Sequence, residues 1–203
     1  MHSSNTLRPL FWTLFVLSIP AFGQRASRSG IGLKGGLQMA TTRTAILRYD
    51  PVPGAVLGAY APIWVGARLV LQPELLISAQ GSSIKPDEET RQTLRLYYVQ
   101  LPINMKVFVS NVLNVQAGIQ AGRLLAASAD HEDVTDRYQS MDIGLNLGAG
   151  MDFASGMDLT LRYCSGLTPM LVDDDILFPT NRTLQLTAGY RMMRFKKHTR
   201  KRR

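Results

Sequence analysis

From Met141 to Phe153 the chain alternates without a break. Met141, Ile143, Leu145, Leu147, Ala149, Met151 and Phe153 share one parity; Asp142, Gly144, Asn146, Gly148, Gly150 and Asp152 share the other. Successive side chains of a strand point to opposite faces, so this period of two predicts a β-strand with one greasy and one polar face. Strands of soluble sheets run about five or six residues, whereas about 9 to 11 tilted residues, plus rims, cross a bilayer. The segment has the longer measure and reads as a membrane-spanning strand. The same patterning places strands at 31–40, 54–61, 65–81, 93–109, 113–125, 141–153, 157–167 and 182–195.

The eight strands are joined by alternating long and short connections. Long ones fall at 41–53, 82–92, 126–140 and 168–181; tight ones fall at 62–64, 110–112 and 154–156. Short periplasmic turns, longer extracellular loops and an even strand number are the rhythm of outer-membrane barrels. Residue size decides which face is inside. The polar face carries Gly32, Gly36, Gly58, Gly118, Gly122, Gly144, Gly148, Gly150 and Gly189 with Gln and Asn between them. A solvated outer surface is normally dense in Lys and Glu, while a narrow lumen must use small and mutually bonding groups. The other face, including Leu69, Leu75, Leu101, Ile103, Leu159, Leu161, Leu184 and Leu186, then meets lipid. The expectation is an all-β fold, an eight-stranded antiparallel up-and-down transmembrane β-barrel with both termini in the periplasm. The competing reading is a soluble barrel with its apolar face inward.

Residues 1–23 read as a signal peptide: Arg8, an apolar run from Leu10 to Ile19, then Ala21 and Gly23 as small residues before a cleavage between Gly23 and Gln24. The run is too short for a transmembrane helix. Residues 24–195 form the barrel domain. Cys164 is the only cysteine, so no intramolecular disulfide supports the fold.

The formal charge of +8 is a property of the ends. Arg194, Lys196, Lys197, Arg200, Lys201, Arg202 and Arg203 cluster at the C-terminus, and Arg8 lies in the leader, which leaves 15 cations against 15 carboxylates between them. Residues 196–203 are read as a basic periplasmic tail that is solvated, rests on anionic headgroups at about 1 kcal/mol per basic residue, or docks a periplasmic partner. Nucleic acid is not expected as a partner in this compartment. The carboxylates follow the long connections: Asp50, Asp87, Glu88, Glu89, Asp130, Glu132, Asp133, Asp136, Asp173, Asp174 and Asp175 all lie there.

On the polar face Lys34, Arg68, Lys106, Arg162 and Arg191 accompany Glu74, Asp142, Asp152 and Asp158. Unpaired charge in a narrow lumen is costly, so near-equal numbers of each sign predict a paired network, with Glu74 and Arg162 as the mid-height pair. A structural filling is favoured over a proton or ion path, because eight-stranded interiors are filled by side chains. Catalysis is not expected. A hydrolase needs a base beside its nucleophile, and His131, in a connection beside Asp130 and Asp133, is the one histidine outside the leader and the tail. Asp173 to Asp175 read as an exposed acidic loop rather than a cation site. Gly30, Gly32 and Gly35 match a dinucleotide-binding spacing but sit in a strand pattern with no helix after it. No cofactor or metal is expected.

The segment Tyr98-Val99-Gln100-Leu101-Pro102, followed by Asn104 and Lys106, resembles the fourth strand of the PorT-like outer-membrane β-barrel proteins of Bacteroidota. Gln72-Pro73-Glu74-Leu75 with Ser78 and Gly81 is similar to the third-strand segment of that family. Gly32, Lys34 and Gly36 in the first strand fit it too, as do Arg162-Tyr163 and Gly166-Leu167 in the seventh. The resemblance implies an eight-stranded barrel in the outer membrane. Because the founding member is tied to type IX secretion, it also implies an accessory export role as the alternative to a structural or interaction role through exposed loops. Lipid is the expected partner, with envelope or secretion proteins as further candidates, and the barrel is expected to be monomeric. A narrow pore is the third reading.

Overall fold

The polar and apolar parities resolve into eight long strands in the computed structural model, which describes residues 29–44, 49–84, 92–130, 132–170 and 179–195. They are β1 (Gly30–Arg43), β2 (Asp50–Tyr60), β3 (Leu69–Ile84), β4 (Gln92–Phe108), β5 (Leu113–Ala129), β6 (Met141–Asp152), β7 (Met157–Gly166) and β8 (Thr180–Arg194). Each pairs antiparallel with the next in sequence. β8 returns to β1 from Gly30↔Arg194 to Arg43↔Thr180, closing the sheet on itself. Closure satisfies the backbone without a free edge, the condition for crossing hydrocarbon with strands. The leader, its cleavage point, the acidic residues at 87–89 and 173–175, His131 and the tail at 196–203 lie outside the described residues.

Which face looks inward is decided by exposure. On β6, Leu147 is 66% exposed and its neighbour Asn146 is 3% exposed. The exposed large side chains include Leu37, Leu57, Ile77, Leu101, Ile119, Leu161 and Leu186, one from each of seven further strands. The buried set is rich in Gln, Asn, Ser, Thr and charged residues. A soluble barrel would invert this distribution. The apolar outside and polar inside match a barrel immersed in lipid.

Several strands run further toward the loop end than alternation predicts. β1 continues to Arg43, β2 begins at Asp50, β3 reaches Ile84 and β5 reaches Ala129. Thr41, Thr42, Ser82 and Ser83 are polar on both parities, so the pattern stops there while the hydrogen-bonded ladder goes on. At the other end β3 starts at Leu69, not at residue 65. The amides of Val65 and Gly66 both donate to the Leu69 carbonyl, at 3.1 and 3.3 Å, turning the chain before the strand. The other tight turns follow the expected positions. Gly156, at φ +103°, occupies the left-handed conformation that closes the β6–β7 turn, a position suited to glycine.

Candidate functional site

The lumen is organised around Glu74 on β3. Its side chain is almost wholly buried and points toward β7, four strands away around the ring and therefore on the opposite wall. Arg162 reaches across from β7 in a two-pronged contact, Nη1 to Oε2 at 2.9 Å and Nη2 to Oε1 at 2.8 Å. Lys34 on β1 donates to Oε1 at 2.8 Å, and Gln72 Nε2 donates to the same oxygen at 2.6 Å. One carboxylate thus ties three walls of the barrel together. Both its oxygens are engaged by donors, which leaves it unsuited to act as a general base. Planar, forked guanidinium geometry is what allows a single residue to span the lumen and still satisfy both oxygens.

Nearer the turns a second cluster forms. Lys106 on β4 contacts Asp152 on β6 at 3.1 and 3.4 Å, and Asn114 Nδ2 donates to Asp152 at 2.9 Å. The Tyr60 hydroxyl donates to the Asp158 carboxylate across the β2–β7 gap. Lys34 Nζ lies 4.9 Å from the centre of the Tyr60 ring, within cation–π range, and so links the two clusters. Phe108 and Val70 are buried at this end.

Glycine makes the crowding possible. A Cβ on Gly189 would stand 2.4 Å from Asp158 Oδ2, whereas one on Gly122 would find its nearest atoms at 3.6 Å. Gly189→Ala is therefore expected to displace Asp158 from Tyr60 and cost about 1–3 kcal/mol through overpacking, while Gly122→Ala changes little. Urea unfolding of the two variants side by side checks this.

Of the nine charged residues expected inside, Lys34, Glu74, Lys106, Asp142, Asp152, Asp158, Arg162 and Arg191 are buried. Arg68 is not. It sits exposed in the turn before β3, and its carbonyl accepts from the Phe108 amide at 2.9 Å. The alternation that placed it inside does not extend through the Gly66 turn. Without Arg68 the buried charges balance, four cations against four carboxylates. Asp142 stands apart from the others near the loop end, accepting from Thr168 Oγ1 at 3.0 Å.

No group of three metal-binding side chains occurs among the described residues. Gly30, Gly32 and Gly35 all belong to β1, where their amides serve the sheet rather than a phosphate loop. Asp130 and Asp133 are exposed in the β5–β6 connection. Two bonds from Thr135, 2.9 Å from its amide and 2.6 Å from its hydroxyl, hold the Asp133 carboxyl below its ordinary pKa and shape a turn rather than a reactive site.

Residues 22–172 match the family described as outer membrane protein beta-barrel domain. The chain belongs to this family of outer-membrane β-barrels. Among solved structures, Neisserial surface protein A is similar with a TM-score of 0.55 at 12% identity, covering 80% of this chain and 97% of that one. Ail, the attachment invasion locus protein of Yersinia pestis, gives 0.48 at 13% identity over 80% and 98%. The outer membrane enzyme PagL gives 0.43 at 12% identity over 77% and 98%. At these identities the likeness to Neisserial surface protein A speaks for the fold alone. No curated protein sequence matches.

The loop end of the outer-membrane barrel holds a feature that the alternation hides. Leu96 and Tyr98 on β4 and Leu124 and Ala127 on β5 are buried in an apolar cluster with Met170 from the β7–β8 connection. Met170 is fixed from several sides: its amide donates to the Pro179 carbonyl and its carbonyl accepts from the Gln139 amide, both at 2.8 Å. Its sulfur lies 3.8 Å from Thr42 Oγ1 on β1, across the barrel from β4 and β5. Val134 and Tyr138 pack against the cluster. Met170 therefore sits over the mouth of the lumen. The sequence signal was the apolar run Leu124 to Ala127, which breaks the period of two. It coincides with the register shift between Tyr97 and Tyr98 opposite, where β5 carries one extra residue.

Proposed function

We propose that this outer-membrane barrel is a closed, non-enzymatic anchor whose working surface is its loop end, turned outward from the cell. The observation that carries the reading is the Arg162–Glu74 bridge between opposite walls, which fills the lumen at mid-height with Lys34 and Gln72 packed beside it. Above it, Gln38 binds Ser78 at 2.7 Å, Thr42 binds Ser82 at 2.9 Å, and Met170 covers the mouth. A lumen bridged from wall to wall at mid-height and covered at its mouth supports a closed interior. What the barrel offers instead is its rim, where Asp50, Asp130, Glu132, Asp133 and Asp136 are all exposed. Loops on a rigid scaffold are suited to recognition, and this concentration of carboxylates favours a partner that presents cations.

The purified barrel in planar bilayers is expected to give no unitary current steps, and regular steps from the wild type would overturn the closed reading. Mild-detergent extraction separates the two remaining roles. A loop-presenting barrel runs as a monomer, whereas stoichiometric envelope proteins at its side would assign it to an export machine, as the PorT-like resemblance of Tyr98 to Pro102 suggests.

A further inference from the structure

On three strands the outward apolar run ends, at the loop end, in arginine, and on a fourth it is interrupted by one. Along β8, Leu184, Leu186, Ala188, Tyr190 and Met192 face out, and the outward position before them is Arg182. On β4 the run from Val107 back to Tyr97 ends at Arg95, and on β1 the run Ile31 to Met39 passes Thr41 and ends at Arg43; on β5 Arg123 follows the run Leu113 to Ala121, with Leu125 exposed beyond it. About 9 to 11 tilted residues span the hydrocarbon, so these guanidinium groups stand where the acyl region gives way to headgroups.

Two of them are neighbours. Arg43 pairs with Thr180 and Arg182 with Thr41, so they occupy a diagonal on adjoining strands, roughly 7–8 Å apart at the backbone. Arg182 Nη1 is held by the Tyr163 hydroxyl at 2.9 Å, an aromatic placed as interfacial tyrosines are. Among the described residues every ion pair lies in the lumen, and no carboxylate pairs with Arg43, Arg95, Arg123 or Arg182. The exposed carboxylates Asp130, Glu132, Asp133 and Asp136 belong to the connection beyond the strand ends. Arg137 shares that connection, so the tips carry both signs, whereas at the lipid boundary the four arginines face no carboxylate of the described residues.

We propose that the Arg43–Arg182 pair, flanked by Tyr163, binds a phosphate monoester on the headgroup of a phosphorylated glycolipid in the leaflet around the loop end. Two guanidinium forks match the oxygens of a phosphate dianion, and binding in the interface strengthens the contact because water competes less there. The proposal rests on the loop end being the outward one only for which leaflet supplies the lipid. The binding chemistry is independent of it.

The test uses the mature barrel in nanodiscs, where both leaflets carry the same lipid, so a failure of the outward reading does not affect the result. Unfolding half-life at a fixed elevated temperature is read from gel mobility in phosphatidylcholine alone, and with added bisphosphorylated lipid A, enzymatically dephosphorylated lipid A, or phosphatidylglycerol. The bisphosphorylated lipid is expected to lengthen the half-life about tenfold, the scale of one charge-assisted hydrogen bond. The dephosphorylated lipid and the phosphodiester should not. Arg43→Gln with Arg182→Gln should abolish the gain, and Arg68→Gln at the opposite end should retain it. Equal half-lives with and without the phosphates, an equal gain from phosphatidylglycerol or from millimolar inorganic phosphate, or a gain that survives the double substitution would each overturn the proposal.

Discussion

Glu74→Gln is expected to lower the unfolding free energy by about 3–5 kcal/mol, the scale of removing one member of a buried ion pair. The carboxylate faces two cations, Lys34 and Arg162, each at 2.8 Å, and both are themselves buried. A neutral amide leaves those charges enclosed with no counter-charge, and it offers one oxygen where two are used. Removing charge together should hurt less. The triple variant Lys34→Met, Glu74→Leu, Arg162→Met replaces the cluster by apolar groups of similar bulk, and such exchanges are often neutral or better. Urea unfolding followed by gel mobility compares the single and triple variants. If Glu74→Gln unfolds at the wild-type urea concentration, the bridge does not hold the barrel.

Leu147→Arg is expected to cost about 2–4 kcal/mol, as arginine does at the bilayer midplane on the lipid face of a barrel. Leu147 lies at the middle of β6, pairing with Ala117 on β5 and Tyr163 on β7. Its neighbour Asn146 points inward, where its amide donates to Asn104 at 3.2 Å, so Asn146→Ser loses only one neutral hydrogen bond, about 1 kcal/mol. Folding yield into vesicles should therefore fall steeply for Leu147→Arg and slightly for Asn146→Ser. The reverse order would mean that leucine faces a core.

How far this architecture is written in the chain differs from region to region. β6 and β7 are legible almost to the residue because one parity is greasy and the other small or polar from end to end. The loop-end extensions through Thr41 to Arg43 and through Ser82 and Ser83 are not, since residues above the bilayer are polar on both faces and leave only the ladder to define the strand. Alternation misplaces Arg68 for the opposite reason: parity counted back from Val70 continues through a turn that Gly66 makes in space. The Glu74–Arg162 contact followed from charge balance and similar height on facing strands. The Tyr60–Asp158 contact did not, because its partners are three strands apart and meet only through the stagger of the closed sheet. The cap at Met170 was equally hidden, as its apolar partners Leu96 and Leu124 sit on the inward parity and mimic lipid-facing positions.

The orientation of the two faces underlies both the lipid contact and the lumen network, and a cysteine scan tests it directly. With Cys164→Ser as background, single cysteines at positions 143, 145, 146, 147 and 149 carry a nitroxide label in the reconstituted barrel, and relaxation by oxygen, which concentrates in hydrocarbon, is compared with relaxation by a water-soluble nickel complex. High oxygen accessibility at 143, 145, 147 and 149, with low accessibility to both reagents at 146, is the predicted result. High oxygen accessibility at 146, or strong nickel access at the odd positions, would contradict the account.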